Sequence, residues 1–256
     1  MSRRHVPLRP SCAQPHECGR PLRMRVLAQV PMLAGLSEED LDRIDRRMVS
    51  LSWAEGDPLF RAGDAAEHLY VLAAGRVKVS QPTVGGQEIV VDVLVPGELF
   101  GALGTPGEPP LVESAEALTT TCALRLDVRA FREILVEHPP VALRVLDDLA
   151  RRLAEARGRL GRQSTSTVTQ RVASVLLRLA EKVGQERAGS GGVLIQLPLT
   201  RADLAGMTGS TPESVSRAMS RFRSAGIIDT GRRWTAVLDA ARLHDAAGPL
   251  EEKPAG

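Results

Sequence analysis

The stretch LTRADLAGMTGSTPESVSRAMSRF, residues 199–222, constrains the fold more than any other part of this sequence. Thr200 stands three residues before an aspartate, the pattern of a capping box, and so marks the start of a short helix. Gly209 supplies a sharp turn. Thr211 then caps a second helix, with Pro212 at its first position, where proline is well tolerated. The stretch therefore predicts a helix, a tight turn and a second helix.

The second predicted helix has two different faces, because side chains three and four residues apart lie on the same side of a helix. The apolar face suits packing on a domain core and holds Val215, Met219 and Phe222. The polar face holds Glu213, Ser216 and Arg217. By spacing alone, the polar residues would equally suit a solvated surface with a Glu–Arg pair at i,i+4.

The residues that follow favour a nucleic-acid surface. The run IIDTGRRWTAVL, residues 227–238, predicts two short strands joined by a Gly-Arg-Arg turn, that is, a wing. A helix-turn-helix inserts its second helix into the DNA major groove, where arginine binds guanine and a carboxylate accepts from cytosine. Serine and the flanking arginines suit base or phosphate contacts. The candidate DNA-binding residues are Thr211, Glu213, Ser216, Arg217, Arg221, Arg223, Arg232 and Arg233.

Composition limits the other classes of protein. The chain of 256 residues is long enough for two modest domains, and its formal net charge of +2 means that any DNA contact must come from a local patch. Aromatic residues make up 3%, which argues against a base-stacking platform for single strands. Neither a signal peptide nor a membrane span is evident, so a cytoplasmic location is expected. Glycine-rich phosphate loops and nucleophile elbows are not evident either, and an enzyme is not expected.

The middle of the chain predicts strands and then a long helix. Between about 50 and 130 the runs HLYVL, GRVKVSQ, EIVVDVLV and TCALRLD alternate with Gly and Pro turns, which is typical of an antiparallel sandwich or barrel. A heptad-like seam follows, which predicts a dimerisation helix: Leu146, Leu149, Leu153, Ala156 and Leu160. The expected fold class is α+β. Its expected parts are a Cys-containing arm at 1–25, an antiparallel β-roll sensor at 26–137, the dimerisation helix at 138–163, a winged helix-turn-helix at 164–240 and a flexible tail at 241–256.

With these motifs in this order, residues 26–240 resemble a transcription regulator of the CRP/FNR superfamily. TPESVSR is similar to the recognition helix of the FNR-like branch, whose Glu-x-x-Ser-Arg pattern falls on Glu213, Ser216 and Arg217. The resemblance implies a homodimer that binds a double-stranded DNA operator with TTGA-like inverted repeats. It also implies RNA polymerase as a partner.

The same resemblance argues against cyclic AMP as the ligand. The family's phosphate pocket needs a glutamate in a Gly-Glu-Leu turn and, further on, an Arg-Ser pair. This sequence has Ala102 at the glutamate position and Glu113 at the arginine position. A carboxylate beside a phosphate repels it.

By the same resemblance, the three cysteines suggest an iron–sulfur cluster, and the cluster type that the resemblance implies is [4Fe-4S]. Cys12 and Cys18, with five residues between them, match the spacing of the last two N-terminal ligands of oxygen-sensing FNR proteins, and Cys122 falls where their β-roll ligand lies. The first cysteine of that set is replaced by Arg9. A fourth ligand would be His16, Glu17, His5 or an external molecule.

Other interpretations remain open at this point. The thiols could form a redox switch, Cys122 could be a small buried residue and the other two idle thiols, and haem or no cofactor would also fit. His68 more simply packs or hydrogen-bonds in the β-roll than binds haem. The expected function is a homodimeric regulator that responds to redox state or a diatomic gas. The alternatives are a ligand-binding module that regulates a protein partner, and a constitutive regulator without a cofactor.

Overall fold

The computed structural model describes residues 14–15, 19–83, 88–102, 110–186 and 192–248. The chain forms two compact units, one of residues 1–86 and 91–155, the other of residues 156–256 with the short segment 87–90. No helix in the described ranges is both long enough and apolar enough to cross a membrane.

The strands before the long helix form two antiparallel sheets, as the alternating runs of the sequence predict. The strands are β1 (Gln14–Pro15), β2 (Val49–Trp53), β3 (Pro58–Phe60), β4 (His68–Ala74), β5 (Val77–Pro82), β6 (Glu88–Leu94), β7 (Leu99–Gly101), β8 (Ser114–Ala117) and β9 (Thr121–Asp127). One sheet has the order β1-β2-β9-β4-β7, and the other has the order β3-β8-β5-β6.

Four helices accompany these sheets: α1 (Arg20–Gln29), α2 (Glu38–Asp45), α3 (Val128–Glu137) and the long α4 (Pro139–Thr165). A 3-10 turn at Pro31–Leu33 follows α1. Ser37 caps α2 by accepting a hydrogen bond from the backbone N–H of Asp40 at 3.1 Å, as its position before the acidic turn predicts. Leu41 and Ile44 of α2 are buried.

Two apolar clusters hold this unit together. The larger lies where α1, α2 and α3 pack on the first sheet, with Leu27, Leu69 and Leu124 fully buried in it. The second contains the aromatic residues of the strands, Trp53, Phe60, Tyr70 and Phe100. Tyr70 and Phe100 stack with their ring centroids 5.3 Å apart. Such offset ring pairs add to the stabilisation that burial provides.

The second unit is a small helical domain with its own sheet. Its elements are α5 (Val168–Val183), β10 (Gln185–Glu186), β11 (Val193–Ile195), α6 (Arg201–Thr208), α7 (Pro212–Ser224), β12 (Ile228–Gly231), β13 (Trp234–Val237) and α8 (Ala240–Ala247). The strand order is β10-β11-β13-β12. The β12–β13 hairpin is the predicted wing, with Gly231 opposite Trp234 next to its turn.

Two expected segment boundaries differ from the structure. The sequence predicts a flexible tail at 241–256, but α8 reaches Ala247, and Leu243 is fully buried within it. Asp239 caps this helix by accepting from the N–H of Arg242. The sequence predicts an arm at 1–25, but α1 begins at Arg20, and Arg23 forms an ion pair with Asp45 at 2.6 Å. Residues 1–13, 16–18 and 249–256 of these segments lie outside the described residues.

Candidate nucleic-acid interface

The turn between α6 and α7 has the geometry that its glycine and caps predict. Gly209 ends α6 in the left-handed conformation, with φ 56° and ψ 48°, where a side chain would be strained. At the other end of α6, the hydroxyl of Thr200 accepts from the N–H of Asp203 at 3.0 Å, and Asp203 accepts from the N–H of Thr200 at 2.7 Å. Thr211 caps α7 by accepting from the N–H of Ser214 at 3.3 Å.

A distant side chain also holds this turn. The Nε of Arg171, on α5, donates to the carbonyl of Thr208 at 2.7 Å. The buried hydroxyl of Thr208 donates to the carbonyl of Leu204 at 2.7 Å. Sequence reasoning did not identify either residue, because Arg171 and Thr208 are 37 positions apart. The contact ties the C-terminal end of α6 to α5.

The two faces of α7 are as predicted. Val215, Ala218, Met219 and Phe222 are buried against the domain. On the other side, Glu213 and Arg217 are exposed and Ser216 is half-buried. The trio that the sequence placed together therefore lies on one solvent-facing surface, in the first two turns of the helix.

The side chains of the trio are held by neighbours on α7 and not by one another. Arg217 donates to the hydroxyl of Ser214 at 2.8 Å, and no ion pair joins Arg217 to Glu213 in the part of the chain that the structure describes. Hydrogen bonds from its own backbone N–H and from Thr211 lower the pKa of Glu213, and the charge of Arg217 adds a smaller effect. The carboxylate and the guanidinium are thus both charged and accessible.

Ser216 is more restricted than its position suggests. Its hydroxyl donates to the carbonyl of Pro212 at 2.8 Å, four residues earlier on the same helix. In this rotamer the oxygen of Ser216 is available only to accept a hydrogen bond. An amino group on a base edge would fit that requirement, whereas a phosphate, which only accepts, would require the hydroxyl to turn.

The flanking arginines occupy three different surroundings. Arg221 donates to the hydroxyl of Thr169 near the start of α5, and Arg223 lies 3.6 Å from the carboxylate of Asp229. Arg232 and Arg233 form the exposed turn of the wing, where Arg233 has a φ of 75°. Arg221 therefore ties α7 to α5, and the other three leave their charge near the surface.

The predicted dimerisation helix carries an exposed apolar stripe. The exposed fractions of Leu146, Leu149 and Leu153 are 63%, 40% and 53%. Ala156 is half-buried, and the side chain of Leu160 lies outside the described residues. Leu143, which sequence reasoning missed, extends the stripe by one turn and is 64% exposed. Its spacing of three residues from Leu146 was the available signal.

Of the predicted metal ligands, the structure describes only one. Cys122 is half-buried on β9 and packs against the larger apolar cluster. Cys12, His16 and Cys18 lie outside the described residues. Within the residues that the structure does describe, no group of three or more His, Cys, Asp or Glu side chains could hold a metal ion.

The backbone nevertheless brings the arm close to Cys122. Cys122 is opposite Ser52 of β2, and Ser52 is in turn opposite Gln14 of β1. Neighbouring strands are separated by 4.7–4.9 Å, so the backbones at Gln14 and Cys122 are about 10 Å apart. Gln14 lies between the two N-terminal cysteines in sequence.

The region compared with the cyclic AMP pocket is apolar and acidic. Ala102 is buried, and Glu113 is half-buried. Burial raises the pKa of Glu113, the charge of Arg152 on α4 opposes that rise, and the charge of Asp92 adds to it. For His68, at the start of β4, burial and the charge of Arg125 lower the pKa.

Comparisons with known proteins agree with this geometry. Residues 170–246 match the family model of the Crp-like helix-turn-helix domain, and residues 50–138 match that of the cyclic nucleotide-binding domain. The "Cyclic AMP receptor protein" of Thermus thermophilus is 31% identical over 217 residues, covering 85% of this chain and 96% of that protein. The "Transcriptional activator protein FnrL" of Cereibacter sphaeroides is 27% identical over 237 residues, covering 91% and 92%.

A crystal structure of a CRP-family transcriptional regulator from Thermus thermophilus superposes with a TM-score of 0.65 at 28% identity, covering 77% of this chain and 96% of that one. A β-roll followed by a long helix and a winged helix-turn-helix defines a DNA-binding transcription regulator. The chain belongs to the CRP/FNR family of such regulators. This family consists of regulators and not enzymes, in agreement with the sequence analysis.

Proposed function

We propose that this chain acts as a homodimer that binds an operator of two inverted, TTGA-like half-sites. The observation that carries the proposal is the exposed polar face of α7, on which Arg217 has no acidic partner among the described residues. The N-terminal residues of a recognition helix are the ones that reach base edges. Glu213, Ser216 and Arg217 occupy that position.

Each residue of this face has a proposed contact. Arg217 binds the two acceptors of guanine, and Glu213 accepts from the amino group of the cytosine in a pair with guanine. Ser216 accepts from a base edge. Arg223, Arg232 and Arg233 contact phosphates. Arg221 and Thr211 position α7, and their side chains lie near the sugar-phosphate backbone of the bound DNA.

The exposed stripe of α4 supports the dimer. Exposed leucines on successive turns of one helix are costly in water and are stabilised by pairing with a second copy. The proposed seam consists of Leu146, Leu149, Leu153, Ala156 and Leu160, with Leu143 added by the structure. RNA polymerase is the proposed partner at the promoter, since the chain belongs to a family of transcription regulators.

Selection of binding sites from random duplex DNA tests the operator. The expected result is an inverted repeat whose half-sites are centred about one helical turn apart, because two symmetry-related helices enter successive major grooves. Recovery of single half-sites or of unrelated sequences would contradict the proposal. Arg217→Ala separates this function from a module that regulates a protein partner, since only a DNA reader loses operator binding.

We also propose that the signal is redox state or a diatomic gas, received by an iron–sulfur cluster on Cys12, Cys18, Cys122 and a fourth ligand such as His16. Pairing of β1 with β2 supports this proposal, because it brings the backbone between the two N-terminal cysteines to within about 10 Å of Cys122. Thiolates are the usual ligands of such clusters. Relatives named as FNR-type activators and relatives named as cyclic AMP regulators both match this chain, so the match alone does not choose the signal.

A cluster on these residues would join the arm to the first sheet. The cluster would favour the conformation in which the arm is attached to the sheet. The shift in population is set by the difference in the cluster's affinity for the attached and the released conformations. Loss of the cluster would release the arm. The acidic group at Glu113 argues against cyclic AMP as the signal, because it would repel a cyclic phosphate.

Anaerobic purification tests the cluster. The expected protein is brown, loses its colour in air and contains iron, and Cys12→Ser, Cys18→Ser and Cys122→Ser each abolish the colour, since one site needs all its thiolates. A full cluster in Cys122→Ser, or no iron after anaerobic reconstitution, would contradict the proposal. Saturable binding of cyclic AMP to the iron-free protein would favour a cyclic-nucleotide regulator instead.

A further inference from the structure

The winged domain contains a cavity beneath the wing, and two of its lining residues, Arg232 and Arg233, are also proposed phosphate contacts. Its volume is about 250 Å³. The apolar part of its lining comes from α5, from β11 and the segment after it, and from α6. These residues are Leu176, Leu179, Ile195, Leu197, Leu199 and Leu204.

Positive charge surrounds the same cavity. Arg201, at the first position of α6, and Arg232 and Arg233, at the turn of the wing, line it. Arg201 is half-buried, yet neither Arg201 nor Arg232 makes a hydrogen bond or ion pair in the described ranges. Burial alone lowers the pKa of Arg201, with no contribution from an acidic group.

This combination specifies the chemistry of an occupant. A half-buried guanidinium without a partner loses hydration that an anion would restore through charge-assisted hydrogen bonds. Six aliphatic side chains also line the cavity, and an occupant that carries an apolar body would bury that body against them. A DNA phosphate would satisfy the arginines but leave the apolar volume unfilled.

We infer that this cavity binds a small amphipathic anion, a carboxylate attached to an apolar chain or ring of about eight carbons. The size follows from the volume, since an apolar cavity of about 150 Å³ is enough for benzene. The carboxylate pairs with Arg201 and Arg232, and the apolar body contacts Leu176, Leu179 and Leu204. The inference goes beyond the proposed function and does not depend on it.

A tryptophan in the wall provides the readout. Trp234 lines the cavity, and its indole packs so closely on Gly231 that a Cβ on that glycine would lie 2.2 Å from Nε1. The other of the two tryptophans, Trp53, is buried in the first unit. In Trp53→Phe, fluorescence therefore reports on the cavity alone.

The experiment is a titration of the full chain with octanoate in the absence of DNA. We expect a saturable change in Trp234 emission in Trp53→Phe, and a matching saturable heat with the unsubstituted chain, which covers the case that Trp53→Phe folds poorly. Octylammonium, which has the opposite charge, and inorganic phosphate, which has no apolar body, should each bind at least about tenfold more weakly.

Variants separate the two halves of the site. Arg201→Gln should weaken octanoate binding about tenfold, and Leu199→Phe should weaken it by filling the cavity. Arg132→Gln, which removes an exposed arginine of α3 in the first unit, is the matched control and should leave the affinity unchanged. No saturable signal for octanoate, equal binding of octylammonium, or full affinity in both Arg201→Gln and Leu199→Phe would overturn the inference.

Discussion

Arg217 and Arg221 lie one turn apart on α7 and differ in what holds them. Arg217 donates to the hydroxyl of Ser214 on its own helix, whereas Arg221 reaches the hydroxyl of Thr169, 52 positions away. Local spacing predicts that both lie on the polar surface. The tie to Thr169 depends on how α5 packs, which no periodicity of α7 encodes. The sequence alone therefore assigned Arg217 to a base and Arg221 to a phosphate, and did not predict that Arg221 contacts α5.

Ser214→Ala tests whether the contact with Arg217 prepares the guanidinium for DNA. Loss of the hydroxyl frees the arginine to occupy other rotamers, so operator affinity should fall by about 0.5–1 kcal/mol. In an Arg217→Ala background the same substitution should have no further effect. Equilibrium titrations of the four proteins with operator DNA give this coupling directly, and additive losses would show that Ser214 acts independently of Arg217.

Arg223→Ala should weaken DNA binding without changing its sequence preference. Arg223 is 64% exposed at its side chain and lies 3.6 Å from Asp229, so its charge is available to a phosphate. Loss of one phosphate contact should reduce the slope of log affinity against log salt by about 1. Titrations at several salt concentrations, with operator and with unrelated DNA, check this. A loss confined to the operator would instead indicate a base contact.

Glu113→Gln should change how stability depends on pH. Because burial raises the pKa of Glu113 in the folded state, the folded protein holds its proton to a higher pH than the unfolded chain does. The free energy of unfolding therefore falls as pH rises from about 4 through the raised pKa, and this loss persists at pH 7. Glu113→Gln should remove that part of the decline. Thermal unfolding at pH 4 and pH 7 measures it, and an identical pH dependence in both proteins would contradict the burial argument.

At the scale of whole elements, strong periodicity was the reliable signal. The two-faced helix α7 and strand β9 both lie where the sequence predicts them. Helix α8 was missed because its residues are mostly small and polar, and one buried side chain, Leu243, anchors it. Helix α1 was not predicted, because its first half lies in the polar, proline-containing arm. Arg23 of α1 is fixed by Asp45 of α2, a partner that composition does not reveal.

The exposed stripe of α4 gives a test of the dimer. Leu149→Glu and Leu153→Glu would each bury a charge without a partner in the proposed seam, so both proteins should be monomers in light scattering and bind the operator poorly. Arg151→Gln is the control: it changes the net charge by the same amount but alters a surface pair with Asp148 on the other side of α4. A dimeric mass for both leucine variants would remove this stripe from the interface.

For the whole molecule, the proposed dimer implies that operator affinity depends on joining two DNA-reading domains. Each winged domain holds one short recognition helix, and linkage of the second to the first raises its effective concentration at the other half-site. A ligand or substitution that changes how the two copies of α4 pair should therefore change operator affinity, even when it makes no contact with α7. The order of the sequence motifs predicted that one helix forms the dimer and a separate domain binds DNA. The cavity beneath the wing had no sequence signal, because its side chains come from four separate segments.

The most direct test of the account is the base preference of Arg217→Ala. Binding of this variant and of unsubstituted protein is measured on the selected operator and on operators changed at the guanine–cytosine pair of each half-site, with Arg132→Ala as the control. Unsubstituted protein should lose about 1–3 kcal/mol per changed pair, and Arg217→Ala should lose clearly less, because only Glu213 still contacts that pair. If Arg217→Ala retains the full preference for that base pair, α7 does not read DNA through this face and the central claim is wrong.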